Sequence, residues 1–163
     1  MAAAEGTLQR LAGDTREAAS EGRLQVAAAL GRIRDRRFRP LLVPLIFDAN
    51  LDVAREAVRS AGKPGEADEL LLPPLVSLLR RRPLRAAVRE VLASRGEGGL
   101  EVLAYFLRDG AEDIEVRRQI PATLARIPSP RSVELLLEGL ADPDEGLRDQ
   151  CLAALLALRR ANE

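Results

Sequence analysis

From Val53 the chain reads VAREAVRSA, placing apolar residues four apart at Val53, Ala57 and Ala61. The same pattern restarts at Gly22, Leu84, Val116 and Leu147, so that the five anchors are spaced by 31, 31, 32 and 31 residues. Four positions after the other anchors stand Val26, Val88, Ile120 and Cys151, and eight after them Leu30, Leu92, Leu124 and Leu155. On a helix advancing about 100° per residue, offsets of zero, four and eight fall within about 80° of one another, so they predict one buried stripe. Ile33, Ile127 and Leu158 extend the stripe at offset eleven, while Pro64 and Arg95 interrupt it, so those two helices are predicted to end there.

A second helix precedes each of these. Leu42, Leu45 and Ile46 share a face, as do Leu75, Leu78 and Leu79, then Leu103, Phe106 and Leu107, then Val133, Leu136 and Leu140. Pro40, Pro73 and Pro130 lie near the starts, where a missing N–H costs little, and Pro44 and Pro74 predict irregular first turns. Between the halves come Asp48-Ala49-Asn50, Arg81-Arg82-Pro83, Asp109-Gly110 and Asp142-Pro143-Asp144, all turn or N-cap chemistry. Pro121, inside the helix anchored at Val116, predicts a bend. The expectation is one domain over residues 1–163, made of five helical hairpins at approximately 7–34, 37–64, 67–95, 98–127 and 130–160. The first is the least regular: residues 13–21 lengthen its turn, and Gly22 takes the place of a core side chain.

Composition supports this reading. Hydrophobic residues are 47% and aromatics only 2%, which suits close helix packing through Leu, Ile, Val and Ala. The 25 basic and 25 acidic residues cancel, giving no general field for nucleic acid or an anionic membrane. All the basic residues except Lys63 are arginine. Cys151 is the single cysteine, so no intrachain disulfide forms and a reducing, cytoplasmic setting is expected. MAAAEGTLQR lacks the basic and apolar regions of a secretion signal, and no stretch is apolar enough to insert in a membrane.

The hairpin core around DPDEGLRDQC, Asp142 to Cys151, resembles HEAT repeats, although the period is shorter than theirs usually is. It is more similar to the short HEAT-like units named from phycobilisome lyases, and the resemblance covers residues 7–160. PLLVPLIFD and RQIPATLARI are similar to soluble HEAT regions attached to bacterial nucleotide-carrier-like membrane proteins. The resemblance implies an all-α α-solenoid, a right-handed superhelical stack of hairpins. It also implies that this chain is a docking or regulatory region of a larger bacterial protein, which could be tethered to a membrane protein. An accessory role like that of the lyases would want a pocket with His, Tyr or Cys, and only Tyr105 and Cys151 are available.

The residues argue against catalysis. With no histidine, the chain cannot supply the His-Glu metal pairs of HEAT-repeat hydroxylases, a His general base, a triad or a His-bound zinc. One thiol cannot hold an iron–sulfur cluster. The neutral charge and absence of Trp separate the chain from HEAT-like DNA glycosylases. Gly96-Glu97-Gly98-Gly99 lacks the strand before and the Gly-Lys-Ser/Thr after that a phosphate loop needs, so it reads as an inter-repeat loop. Cys151 occupies a core position, and the acid pairs Asp142/Asp144 and Glu112/Asp113 sit at helix starts as caps. Arg23, Arg85, Arg117 and Arg148, one residue after their anchors, are placed to reach Asp and carbonyl groups of a neighbouring turn. The clusters Arg34, Arg36, Arg37, Arg39 and Arg80, Arg81, Arg82 read as solvated loops.

The enzyme expectation is therefore negative, with no cofactor and no metal. The expected function is a protein-interaction scaffold or docking module. A candidate binding face lies at offsets two and six of the second helices, the concave side of such a stack. Its charged members are Arg55, Arg59, Glu90, Arg118 and Asp149, interleaved with Leu24, Ala28, Ala86, Ala122 and Ala153. The pattern fits a partner helix held in register by charges, and equally a solvated surface. The alternatives to a docking module are the lyase-like role and nucleic-acid binding through the arginines, against which the balanced charge speaks.

Overall fold

The computed structural model describes residues 6, 17–33, 35–63 and 68–161, and every regular element among them is helical. Two compact units divide the chain, residues 1–75 and 76–163.

In the first unit, α1 (Glu17–Leu30) is followed by a 3₁₀ segment, Arg36–Leu41, running into α2 (Leu42–Ile46), then by α3 (Leu51–Gly62). The first helix of the predicted 37–64 hairpin is thus split. Pro40 and Pro44 cannot donate to an α-helical ladder, so the first turns tighten to 3₁₀ before a short α segment forms. The turn that follows caps α3: Asp48 Oδ1 accepts the Asn50 N–H at 2.8 Å, and Asn50 Oδ1 accepts those of Asp52 and Val53 at 2.9 and 3.3 Å. Val53, Ala54, Ala57, Val58 and Ala61 are buried on α3, which packs against both α1 and α2. The backbones approach closely at Gly31, where a Cβ would collide with the Ser60 side chain.

The predicted stripe of α1 is corrected by one residue. Ala19, Arg23, Ala27 and Leu30 are buried, Val26 is half-buried and Ile33 is exposed. Gly22 has no side chain to bury, and Arg23 turns inward because Asp48 neutralises it. The first helix expected ahead of the turn at residues 13–21 lies outside the described residues, as does Arg34, and the described part of that expected turn, residues 17–21, is helical and opens α1.

A 3₁₀ segment, Asp68–Leu71, runs into α4 (Leu72–Ser77), the irregular start that Pro74 predicts; α4 spans the boundary in sequence and ends in a further 3₁₀ turn, Leu78–Arg80, which the sequence did not predict. The second unit continues with α5 (Arg85–Ala93), α6 (Glu97–Arg108), α7 (Ile114–Arg117), α8 (Ile120–Leu124), α9 (Pro130–Gly139) and α10 (Glu145–Ala161). Its core contains Leu84, Val88, Leu92, Leu103, Val116, Ile120, Leu124, Leu136, Leu147, Cys151 and Leu158. Each large aliphatic side chain so removed from water contributes about 1.5–3 kcal/mol.

Pro121 divides the helix anchored at Val116 into α7 and α8. The Gln119 N–H bonds only three residues back, to the Val116 carbonyl at 2.9 Å, and Pro121 donates nothing. On α9 the buried face is Ser132, Leu135, Leu136 and Gly139, one position round from the predicted Val133, Leu136 and Leu140. Two contacts explain the rotation. The Ser132 hydroxyl donates to the Ile127 carbonyl at 2.5 Å, and Gly139 lies so close to Cys151 that a Cβ would stand 2.5 Å from its Sγ. On α10, Leu155 is half-buried and Ala154 takes its place in the core.

Candidate functional site

The arginines after the anchors act within the protein. Arg23 is buried, and its Nε donates to Asp48 Oδ2 at 2.6 Å, with Nη2 reaching Asp48 Oδ1 at 3.3 Å. Arg117 is also buried. Its Nε and Nη2 donate to the Leu107 carbonyl at 3.1 and 2.9 Å, and Nη2 also donates to the Asp142 carboxylate. In both cases the acid stands 25 residues on, in the turn of the following hairpin, so the guanidinium ties one hairpin to the next. Arg85 Nε takes the Leu79 carbonyl at 2.7 Å, and the residue 25 positions on is Gly110, which offers no acid. Arg148 Nη1 takes the carbonyls of Asp142 and Pro143 at 2.9 and 3.0 Å.

Of the predicted face, Arg55 and Arg59 are one turn apart on α3. Arg55 Nη1 donates to Asp52 at 2.8 Å, and Arg59 lies 3.9 Å from Glu56, both local pairs of small net value. Glu90 on α5 and Asp149 on α10 are exposed. Arg118, between α7 and α8, is engaged: Nε and Nη2 meet Asp144 Oδ1 and Oδ2 at 2.9 and 2.8 Å, and Nη1 meets Glu115 at 3.2 Å. This two-point pairing holds Asp144 down to about 2, the Arg118 hydrogen bond being the largest cause. The guanidinium lies over Gly146, where a Cβ would stand 2.8 Å from Nε.

Arg39 departs from the solvated cluster assigned to it. It is 1% exposed, and its guanidinium donates to the carbonyls of Ser60, Ala61 and Lys63 at 3.0–3.1 Å. A fixed cation thereby satisfies the carbonyl end of α3 and complements its dipole. Arg37 remains exposed and grips Asp35, Nη2 to Oδ2 at 2.6 Å. Arg80 lies 3.6 Å from Asp113.

Among the described residues no group of three His, Cys, Asp or Glu side chains could hold a metal ion, and no helix is long and apolar enough to cross a membrane. Burial, then the Asp142 charge, pushes the Cys151 thiol up to about 11, the reverse of a nucleophile's activation. A shallow recess of about 490 Å³ lies along α6 between Glu101, Ala104, Tyr105, Arg108 and Asp109, with Tyr105 edge-on to Phe106 at 5.5 Å. The sequence reading placed Asp48 and Asp142 in turns and the arginines within reach of a neighbouring turn, but did not match each arginine to its acid. The 25-residue spacing shared by Arg23/Asp48 and Arg117/Asp142 was the signal for them.

A family model for HEAT repeats matches residues 4–93 and 72–156. No curated protein matches the chain. Among solved structures, an engineered protein is 22% identical, with a TM-score of 0.45, over 94% of this chain and 78% of that one. Human deoxyhypusine hydroxylase, in complex with glycerol, is 17% identical, with a TM-score of 0.39, over 94% of this chain and 84% of that one.

Proposed function

The chain belongs to the HEAT repeat family, and from that premise we propose that it is a non-catalytic docking module that holds a protein partner on its second-helix face. HEAT repeats commonly serve as protein-interaction scaffolds. One observation carries the reading: Arg59 stands exposed on α3 of the first unit with Arg55 half-exposed beside it, and Glu90 and Asp149 stand exposed on α5 and α10 of the second unit, while the buried arginines are occupied by carbonyls and carboxylates inside the protein. Exposed charges of both signs among small side chains suit a helical or extended segment of complementary charge. On this reading all five second helices belong to one repeat domain spanning residues 1–163. Arg118 contributes differently from the other four, because its pairing with Asp144 fixes the neighbouring turn and leaves less of it for a partner.

The test compares proteins captured from a bacterial lysate by the intact chain with those captured by two variants, Arg55→Glu/Arg59→Glu and Glu90→Arg/Asp149→Arg. Arg118 is left unchanged, because replacing it would break a structural pair. Each variant must first melt within about 2 °C of the parent, well under the shift of a buried-site change. The expected result is a captured protein lost from at least one variant. Equal capture by all three chains refutes the assignment of this face.

A further inference from the structure

The arginines that reach from one hairpin to the next are matched to carboxylates: Arg23 to Asp48, Arg108 to Glu138, Arg117 to Asp142 and Arg118 to Asp144. Arg89 on α5 also reaches across, but to a neutral group. Its Nη2 donates to Gln119 Oε1 at 3.0 Å. Its Nε is shut off from water and meets no acceptor among the described residues, an uncommon state for a buried donor.

Two more guanidiniums stand beside it. Arg85 lies one turn back on α5, and Arg126 follows α8, the helix packed against α5. Burial, then the charges of Arg85 and Arg126, lowers Arg89 from the ordinary guanidinium value. Arg85 Nε is taken by the Leu79 carbonyl, and Arg126 is exposed and makes no side-chain bond among the described residues. No carboxylate among those residues pairs with any of the three. Glu90, next along α5, lies about 100° round the helix from Arg89 and forms no ion pair with them.

Like charges so placed repel one another, and the fold supplies no acid to offset the repulsion. An anion bound between them would do so. One guanidinium fork matches one carboxylate, whereas three guanidiniums match a dianion with three acceptor oxygens, which is what a phosphate monoester presents. There is room for one. Gln119, Ala122 and Arg126 follow at three- and four-residue spacing, and Ala122 is small and half-buried, so no bulky side chain stands between the two polar ones.

We propose that Arg85, Arg89 and Arg126, between α5 and α8, bind a phosphate monoester, with Gln119 holding Arg89 in place. None of these residues is among the charges assigned to the partner face, so either reading can fail alone.

The probes are the peptide acetyl-Ala-phosphoserine-Ala-amide, the same peptide with aspartate in place of phosphoserine, and inorganic phosphate. Each is titrated into the full chain at neutral pH and low salt, where screening is weak, and arginine Nε–H signals are followed by nitrogen–proton NMR. The phosphopeptide is expected to shift the Arg89 and Arg126 signals saturably and to bind about tenfold more tightly than the aspartate peptide. Arg89→Met and Arg126→Met should each weaken it about tenfold, as loss of one charge-assisted contact does. Arg126 makes no side-chain bond within the fold, so Arg126→Met tests the site without disturbing the structure.

No saturable shift with either the phosphopeptide or inorganic phosphate overturns the proposal. So does equal affinity for the phosphorylated and aspartate peptides, or an affinity that Arg126→Met leaves unchanged. The third probe identifies the source of the group. A phosphopeptide bound about tenfold more tightly than inorganic phosphate supports the site and assigns the monoester to a phosphorylated chain. Equal affinity for the two supports the site and assigns it to a small phosphorylated molecule.

Discussion

Replacing Asp142 by asparagine removes the charge from the Arg117 clasp while keeping an oxygen to accept the Asp144 N–H, which Asp142 Oδ1 does at 2.9 Å. The two side chains are 9% and 13% exposed, so water cannot make good the loss. Breaking a fully buried pair costs about 3–5 kcal/mol, because the remaining ion is left uncompensated. Here Arg117 keeps two bonds to the Leu107 carbonyl, which lowers the expected cost to about 2–3 kcal/mol. For a chain of this length that is a fall in Tm of about 4–12 °C. Arg117→Met/Asp142→Asn removes the stranded cation as well, and Met follows the same apolar path. The double variant should therefore lose less than the sum of the singles by at least about 1.5 kcal/mol. Thermal and urea unfolding at pH 7, followed by circular dichroism, measure all four proteins. A loss under about 0.5 kcal/mol for Asp142→Asn, or single effects that simply add, would refute the idea that the clasp joins the hairpins energetically.

Gly139→Ala sets a Cβ against the Cys151 Sγ, and overpacking of this kind costs about 1–3 kcal/mol against a gain of about 1 kcal/mol in helix propensity. Adding Cys151→Ala should relieve the collision, so a double variant less stable than Gly139→Ala alone would contradict the contact. The third prediction concerns acid. Asp144 is depressed from the ordinary carboxylate value to about 2, so its contribution is complete above about pH 4 and lost as pH falls towards 2. Asp144→Asn should flatten that part of the Tm–pH curve, and an unchanged slope between pH 4 and 2 would count against the Arg118 pairing.

The hairpin pattern was legible because its signals are local and repeat. Val53, Ala57 and Ala61, and likewise Leu84, Val88 and Leu92, are buried as the four-residue spacing requires. Asn50 and Asp113 cap the helices that follow them, and Pro121 interrupts its helix at the turn it occupies. The errors fall where a partner distant in sequence decides. Arg39 reads as one of four loop arginines until the carbonyl end of α3, more than 20 residues on, encloses it. Arg118 reads as an open surface charge until Asp144 takes it from 26 residues away. Val133 and Ser132 differ by one position, and the choice of which turns inward rests on the Ile127 carbonyl and on Cys151 across the hairpin.

By itself, the amino-acid sequence determined the all-helical class, the 31-residue period, the turns and most of the buried stripe. Each of these depends on residues within about two helical turns of one another, where periodicity, capping and the missing proline N–H act directly. The tertiary structure alone decided the rotation of the end helices and the burial of Arg23, Arg39 and Arg117. Those outcomes depend on whether a second element arrives to take up a charge or cover a face, and periodicity within one helix carries no record of that arrival.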